Sequence, residues 1–328
     1  MYPTFFTDSD TDNYTFGEMF KYWHRHVLAP SIALSTCERY QQEFELRINK
    51  SPIMNMKLTS IKPFHIQEMY SIYTEQGVSA NSIRIVHHLL SGFFKYCLKI
   101  DILSKNPADV CTLPKNKVIK KHKKAFLSTK EIQQMVRYAK NNPSAFIFIF
   151  AIFTGLRQGE ILALTHKDIK NNTIHVNKTL SYLPINHKYR PIISPAKTQD
   201  SNRVVPILEN LMPLITAHIK TEKYKHKKLG IKHSKDMPLF TTSTCNHDSP
   251  SNLRKKLLNI YKQLDIEPTT FHGLRHTFCS TLAKNGVPVK IASELMGHSS
   301  ASTTLKIYTH VEQNELHKGI ARLSCIFP

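Results

Sequence analysis

The run "LPKNKVIKKHKKAF" at 113–126 carries six lysines among the ten residues from Lys115 to Lys124, and no acid. No globular core can absorb such a stretch, because every buried ammonium would need a counter-charge. It must lie at the surface between separately packed units. It divides the 328 residues into two parts, each long enough to bury a core of its own. The expected organisation is an N-terminal tail over 1–13, a helical domain over 14–113, a basic linker over 114–124 and a second domain over 125–328.

Hydrophobic spacing on both sides of the linker is predominantly helical. "TFGE" (15–18), "STCE" (35–38) and "STKE" (128–131) each set a hydroxyl three residues before a glutamate, the pattern of a capping box at a helix start. The first predicts a helix with Phe16, Met19, Phe20, Trp23 and Val27 on one face. Beyond Ser79, Ile83, Val86, Leu90, Phe93 and Cys97 repeat at helical spacing, and Pro107 in "NPADV" suits the first turn of a short final helix. In the second domain the helical pattern breaks near 173–207. There "TIHVNKTL" reads as a strand and "IISPAKTQDSNRVVPI" as two short strands around a polar turn that Lys197 approaches. The stretch "KTEKYKHKKLGIKHSK" (220–235) reads as an exposed helix end and loop. The fold class is therefore mainly α, with a helical first domain and a mixed α/β second domain holding a small antiparallel β-insert.

Forty-five Lys and Arg face 24 Asp and Glu, a net charge of +21 that calls for a polyanionic partner, nucleic acid before any other. The longest apolar run, "AFIFIFAIF" (145–153), is too short to span a membrane, and "MYPTFFTDSDTD" lacks the basic start and apolar stretch of a signal peptide. A cytoplasmic location with no membrane partner is expected. The six scattered cysteines form no C-x-x-C pair, which favours free thiols over a structural zinc site.

Three segments could carry chemistry. In "FTGLRQGEILAL" (153–164), Gly155 ends an apolar run and Arg157 opens a helix whose Ile161, Leu162 and Leu164 face a core. An arginine so placed needs a partner or a site, and Glu160 is the available partner. In "FHGLRHTFCSTLAKNG" (271–286), His272 and His276 stand four apart, the spacing of a helical metal pair. The intervening glutamate of the metalloprotease pattern is missing, however, and Arg275 would set a fixed cation beside the metal. What remains is a polar helix start or a phosphate-handling group. In "VPVKIASELMGHSSASTTLKIYTHV" (287–311), Pro288 opens a helix, Gly297 closes it, His298 sits in the turn beyond, and a further helix from about Ser300 to Ser302 delivers Tyr308.

Taken together, "TGLRQGE", "HGLRH", "LMGHSS" and "IYTHV", with Lys197 between the first two, resemble the tyrosine recombinase (phage integrase) family in order and in spacing. The resemblance covers the whole chain. It implies a two-domain clamp on double-stranded DNA, with a SAM-like core-binding bundle at 14–113 and a catalytic domain at 125–328. It implies a site-specific recombinase of a bacterial mobile element or phage, working through a covalent 3′-phosphotyrosine and a four-way junction. Tyr308 would be the nucleophile, and Arg157 and Arg275 the phosphate clamp. Lys197 would be the general acid, His272 a proton acceptor of near-neutral pKa, His298 a hydrogen-bond donor to the phosphate, and Glu160 a support. Neither cofactor nor metal is implied. Lys115, Lys117, Lys120, Lys121, Lys123 and Lys124 of the linker would lie along the DNA backbone. Residues 309–328 would dock onto a neighbouring subunit of a homotetramer assembled on two DNA sites. An excisionase or a host DNA-bending factor would assist, in a nucleoid-associated setting. With about a dozen residues ahead of the first helix, no separate arm-binding domain is expected within this sequence. A type IB topoisomerase would share the chemistry, and a non-catalytic sequence-specific DNA-binding protein would share the charge. Six filled motif positions weigh against the latter.

Overall fold

The computed structural model describes residues 14–115, 124–185, 188–196, 202–298 and 300–312. The chain separates into two compact units, one up to Lys120 and one from Lys121 onward.

The first unit is all helical among its described residues. It contains α1 (Phe16–Trp23), which continues through a π-helical turn (His24–Leu28) into the short α2 (Ala29–Ser31), then α3 (Leu34–Leu46), α4 (Pro63–Glu75) and α5 (Ala80–Lys99). Thr15 and Glu18 form the reciprocal cap that the sequence predicts, and Ser79 accepts from the Ser82 amide at the start of α5. Aromatic rings from α1, α3 and α5 make the core. Phe20 stacks on Phe44 with centroids 4.8 Å apart, and Phe16 meets Phe93 edge-on at 5.1 Å. Such pairs add about 0.5–1.5 kcal/mol beyond their buried area. Two expectations fail here. "STCE" does not cap α3, whose cap lies two residues earlier at Ala33 and makes no side-chain bond. "NPADV" forms hydrogen-bonded turns instead of a helix, because the Asn106 side chain accepts from the Ala108 amide and donates to Asp109.

The second unit begins with α6 (Thr129–Asn141), where Ser128 and Glu131 form the predicted capping box, followed by α7 (Phe146–Thr154) and α8 (Gln158–Ala163). The apolar run is α7, buried almost all round, with Phe148 against Phe271 at 6.0 Å between centroids. Two small antiparallel sheets follow. One has the order β1 (Ile169–Lys170), β2 (Thr173–Val176), β5 (Arg203–Pro206), and the other pairs β3 (Lys178–Ile185) with β4 (Lys188–Pro195). The sequence merged β2 and β3 into one strand, but Asn177 separates them. The two strands flanking the Lys197 turn do not pair with each other, since β4 joins β3 and β5 joins β2. Then come α9 (Met212–Lys228), α10 (Pro250–Leu264), α11 (Phe271–Lys284), α12 (Val289–Met296) and α13 (Ala301–Glu312). The basic stretch at 220–235 is mostly exposed as expected, apart from buried Glu222 and His226. No helix among the described residues is long and apolar enough to cross a membrane.

Candidate active site

The site is assembled at helix ends. Gly155 closes α7 in the left-handed conformation (φ 64°), and a Cβ there would fall 2.2 Å from the Phe278 ring, so only glycine lets α7 and α11 approach this closely. Two residues on, Arg157 occupies the N-cap of α8. Arginine has no acceptor to offer an N-cap, so only the return half of a capping box forms, through Glu160. Its Oε2 accepts the Arg157 backbone N–H at 2.8 Å, while Oε1 accepts from Arg157 Nη1 at 2.8 Å. The Glu160 side chain is only 5% exposed, whereas that of Arg157 keeps 39% and can still meet a ligand.

Arg275 lies in the first turns of α11 and is 1% exposed. It donates through Nη1 to the Gly155 carbonyl at 2.6 Å and through Nη2 to that of Met296, while its buried Nε has no acceptor among the described residues. Burial, and then repulsion from Arg157, lowers its pKa to about 9, so it remains a cation at neutral pH. The second arginine of the pair also reaches the end of α12, with Arg157 Nη2 donating to the Gly297 carbonyl at 2.7 Å. The last carbonyls of a helix lack intrahelical partners and carry its negative dipole end, which is why cations collect there.

A residue that the sequence reading missed completes the group. Arg203, on β5, donates through Nε to the Leu295 carbonyl at 2.9 Å, and through Nη1 and Nη2 to Glu160 at 3.1 and 2.9 Å. Burial alone would raise the Glu160 pKa, but Arg203 and then Arg157 hold it below the usual carboxylate value. A signal for Arg203 existed. In "RVVP" it shares the strand face of buried Val205 and not that of exposed Val204, and a charge on an inward face needs a partner.

His298 follows directly from Gly297, the left-handed cap of α12, and its Nδ1 is 2.8 Å from the Thr304 hydroxyl. Desolvation, followed by Arg275 and Arg157, holds its pKa near 4. His272 lies at the surface in the first turn of α11, its ring edge-on to His276 with centroids 4.5 Å apart. Desolvation on that side, then His276, Arg275 and Arg157, brings its pKa also to about 4. This corrects the near-neutral value expected from the sequence, because desolvation first, and then the neighbouring His276 and arginines, disfavour the charged ring. His276 is half-buried, with Nδ1 unbonded among the described residues.

Tyr308 stands apart from this group. Its side chain packs with Cys279, Ala292 and Met296 at 4% exposure, and its hydroxyl donates to the Val287 carbonyl at 2.9 Å. Val287 precedes α12 and Gly297 follows it, and an eight-residue helix is roughly 12 Å long. The hydroxyl and the arginines therefore sit at opposite ends of α12. Lys197, Lys117, Lys120, Lys121 and Lys123 fall outside the described residues, as does the segment from 313 onward. Of the linker lysines that are described, Lys115 is exposed and Lys124 is paired with Glu131.

Comparison with known proteins identifies the family. Residues 125–315 match the model of the phage integrase family, and residues 15–72 match its N-terminal SAM-like domain. A tyrosine recombinase XerC-like protein of Caldanaerobacter subterraneus subsp. tengcongensis is 31% identical over 97% of this chain and 85% of its own length. The ICEBs1 integrase of Bacillus subtilis is 27% identical over 87% of this chain and 78% of its own. The fold is that of the Tn1549 transposon integrase solved with transposon right end DNA, at a TM-score of 0.76 and 22% identity over 95% of this chain and 100% of that one. These relatives are recombinases and integrases, which leaves the topoisomerase and non-catalytic readings unsupported. The chain therefore belongs to the phage integrase family and is a tyrosine recombinase, an enzyme of site-specific DNA recombination.

Proposed function

We propose that the protein breaks and rejoins duplex DNA at its target sites through Tyr308, with Arg157, Arg275 and His298 holding the scissile phosphate. The observation that carries this reading is the convergence on one end of α12. Arg157 comes from the start of α8 and Arg275 from α11, and His298 emerges from the same helix end. A phosphodiester passing to a pentavalent state gathers charge on its non-bridging oxygens, and preorganised guanidinium groups match that charge in sign and geometry. The buried, unbonded Nε of Arg275 is a donor suited to such an oxygen.

In the reaction the Tyr308 oxygen attacks phosphorus, a 3′-phosphotyrosyl ester forms, and the bond to the 5′-oxygen breaks. The tyrosine proton passes to His272, and Lys197 donates a proton to the leaving 5′-oxygen. One ester replaces another, so resealing by the 5′-hydroxyl of a partner strand requires no further energy source. Bringing Tyr308 to the phosphate requires α13 to release the Val287 carbonyl and move along α12. A bound phosphate sets an anion beside His272 and His298, offsets part of the desolvation and the arginine repulsion, and moves both pKa values upward toward the range useful for proton transfer.

Strand exchange requires four subunits on two duplexes, and the clamp of two units, the lysine linker along the backbone and docking of the segment after Glu312 onto a neighbour serve that assembly. An apolar groove of about 720 Å³, lined among others by Ile132, Phe153, Val205, Leu282 and Leu295, is suited to receive that segment. The segment carries Leu316, Ile320 and Leu323 at helical spacing. The direct test uses a nicked duplex bearing the target site, first selected from random-sequence DNA. A protease-sensitive, detergent-stable adduct is expected with the wild-type protein and not with Tyr308→Phe. Specific binding without any adduct would overturn the proposal.

A further inference from the structure

We propose that Arg203 is a positioning residue for strand cleavage, locking Glu160, and through it Arg157, onto the end of α12 that presents His298. The inference rests on the reading of this site as the strand-cleaving centre. Three arginines from three elements donate to three successive carbonyls: Arg203 to Leu295, Arg275 to Met296 and Arg157 to Gly297. Two of them belong to the phosphate clamp. The third, Arg203, is committed to protein acceptors, its Nε donating to Leu295 and both Nη atoms to Glu160.

What Arg203 does is join two parts of the site that the backbone leaves separate. Glu160 belongs to α8, and Leu295 to Gly297 belong to α12. The Arg203 fork reaches the first through both Nη atoms and the second through Nε. A fixed planar fork with bonds on three sides sets distance and angle together, which a flexible ammonium cannot do. The turn at Gly297 is fitted to it. Its φ of 62° suits glycine, and a Cβ there would lie 2.7 Å from Arg203 Nη1.

Removing the fork leaves Glu160 buried, with Arg157 as the guanidinium still bonded to it. The charged groups that act on that carboxylate are Arg157 ahead of α8, Arg203 on β5 and Arg275 on α11. Without Arg203, desolvation is opposed chiefly by Arg157, and the carboxyl takes up a proton more readily. A neutral Glu160 no longer holds the Arg157 guanidinium in place.

The experiment measures single-turnover cleavage of the nicked duplex, together with DNA affinity, for wild type, Arg203→Gln and Arg203→Lys, between about pH 5.5 and 8.5. Arg203→Gln is expected to cleave on the order of 10²-fold more slowly with little change in affinity, and to lose further rate toward acid. Arg203→Lys should recover part of the rate and part of the pH profile. Wild-type rates and profiles in both variants would overturn the proposal. So would a rate loss matched by an equal loss of affinity at every pH. If circular dichroism shows Arg203→Gln unfolded, Arg203→Lys decides alone: a slowed rate with an acid-shifted profile supports the role, and wild-type behaviour overturns it. A wild-type protein that forms no Tyr308 adduct refutes the cleavage reading itself, a result distinct from reactive wild type with equally reactive Arg203 variants.

Discussion

Substituting Gly297 by alanine tests whether the turn after α12 is built around Arg203. Both Gly297 (φ 62°) and Gly230 (φ 68°) are left-handed, so alanine at either costs about 1–2 kcal/mol of backbone strain. A stiffer unfolded chain returns about 0.4–1 kcal/mol of that at both positions. The surroundings differ. Nothing lies within 4 Å of a Cβ at Gly230, whereas at Gly297 it would meet Arg203 Nη1 at 2.7 Å and Cζ at 2.9 Å. The guanidinium must shift, and its bonds to Glu160 and Leu295 weaken. Loss of one charge-assisted bond costs about 1.5–3 kcal/mol, so Gly297→Ala should exceed Gly230→Ala by about 2 kcal/mol. Urea unfolding followed by far-ultraviolet circular dichroism provides the measurement. The chain's one tryptophan, Trp23, lies in the other unit, so fluorescence would report the wrong transition. Equal losses in the two variants, at equal denaturant slope, would refute the packing argument.

Other consequences follow from the same geometry. Arg275→Lys cannot remake the fork between the Gly155 and Met296 carbonyls, and should cost about 2–3 kcal/mol in chemical denaturation and abolish the adduct. The pKa values of His298, His272 and His166 are each held near 4 against an ordinary 6.5, so the unfolded chain binds protons more readily than the folded one between those values. Their contribution to stability is therefore complete above pH 6.5 and lost as the pH falls toward 4, and the melting temperature of the DNA-free protein should drop through that window; a flat profile there contradicts the assignment. Removing residues 313–328 should leave DNA binding by single subunits intact and abolish four-way-junction formation on native gels, whereas unchanged assembly would show that another surface joins the subunits.

Much of this was legible in the sequence because it is local. Thr15 and Ser128 cap their helices through neighbours three residues away, the α7 run is apolar throughout, and Gly155 and Gly297 end helices as glycine does. The failures share a cause in competing local bonds or long-range pairing. Asn106 diverts its backbone into turns, and β5 passes over the nearer β4 to pair with β2. Within the site, spacing identifies which side chains belong together but not what they do when no phosphate is bound. Nothing in "IYTHV" tells that the Tyr308 hydroxyl is held by Val287, or that Arg203 is the residue bridging Glu160 to α12. Both are contacts across long sequence separations. The depressed His272 pKa likewise arises from burial of one side of the ring first, and then from neighbours that include Arg157 of a distant segment.

Whether Tyr308, and no other group, becomes joined to DNA is read directly by trypsin digestion of the trapped adduct, nuclease trimming of the strand and mass spectrometry. The prediction is a nucleotide mass on the peptide from Ile307 to Lys318, localised to Tyr308 and linked through a 3′-phosphate. A nucleotide on any other residue, or a 5′-linked strand, would contradict the account.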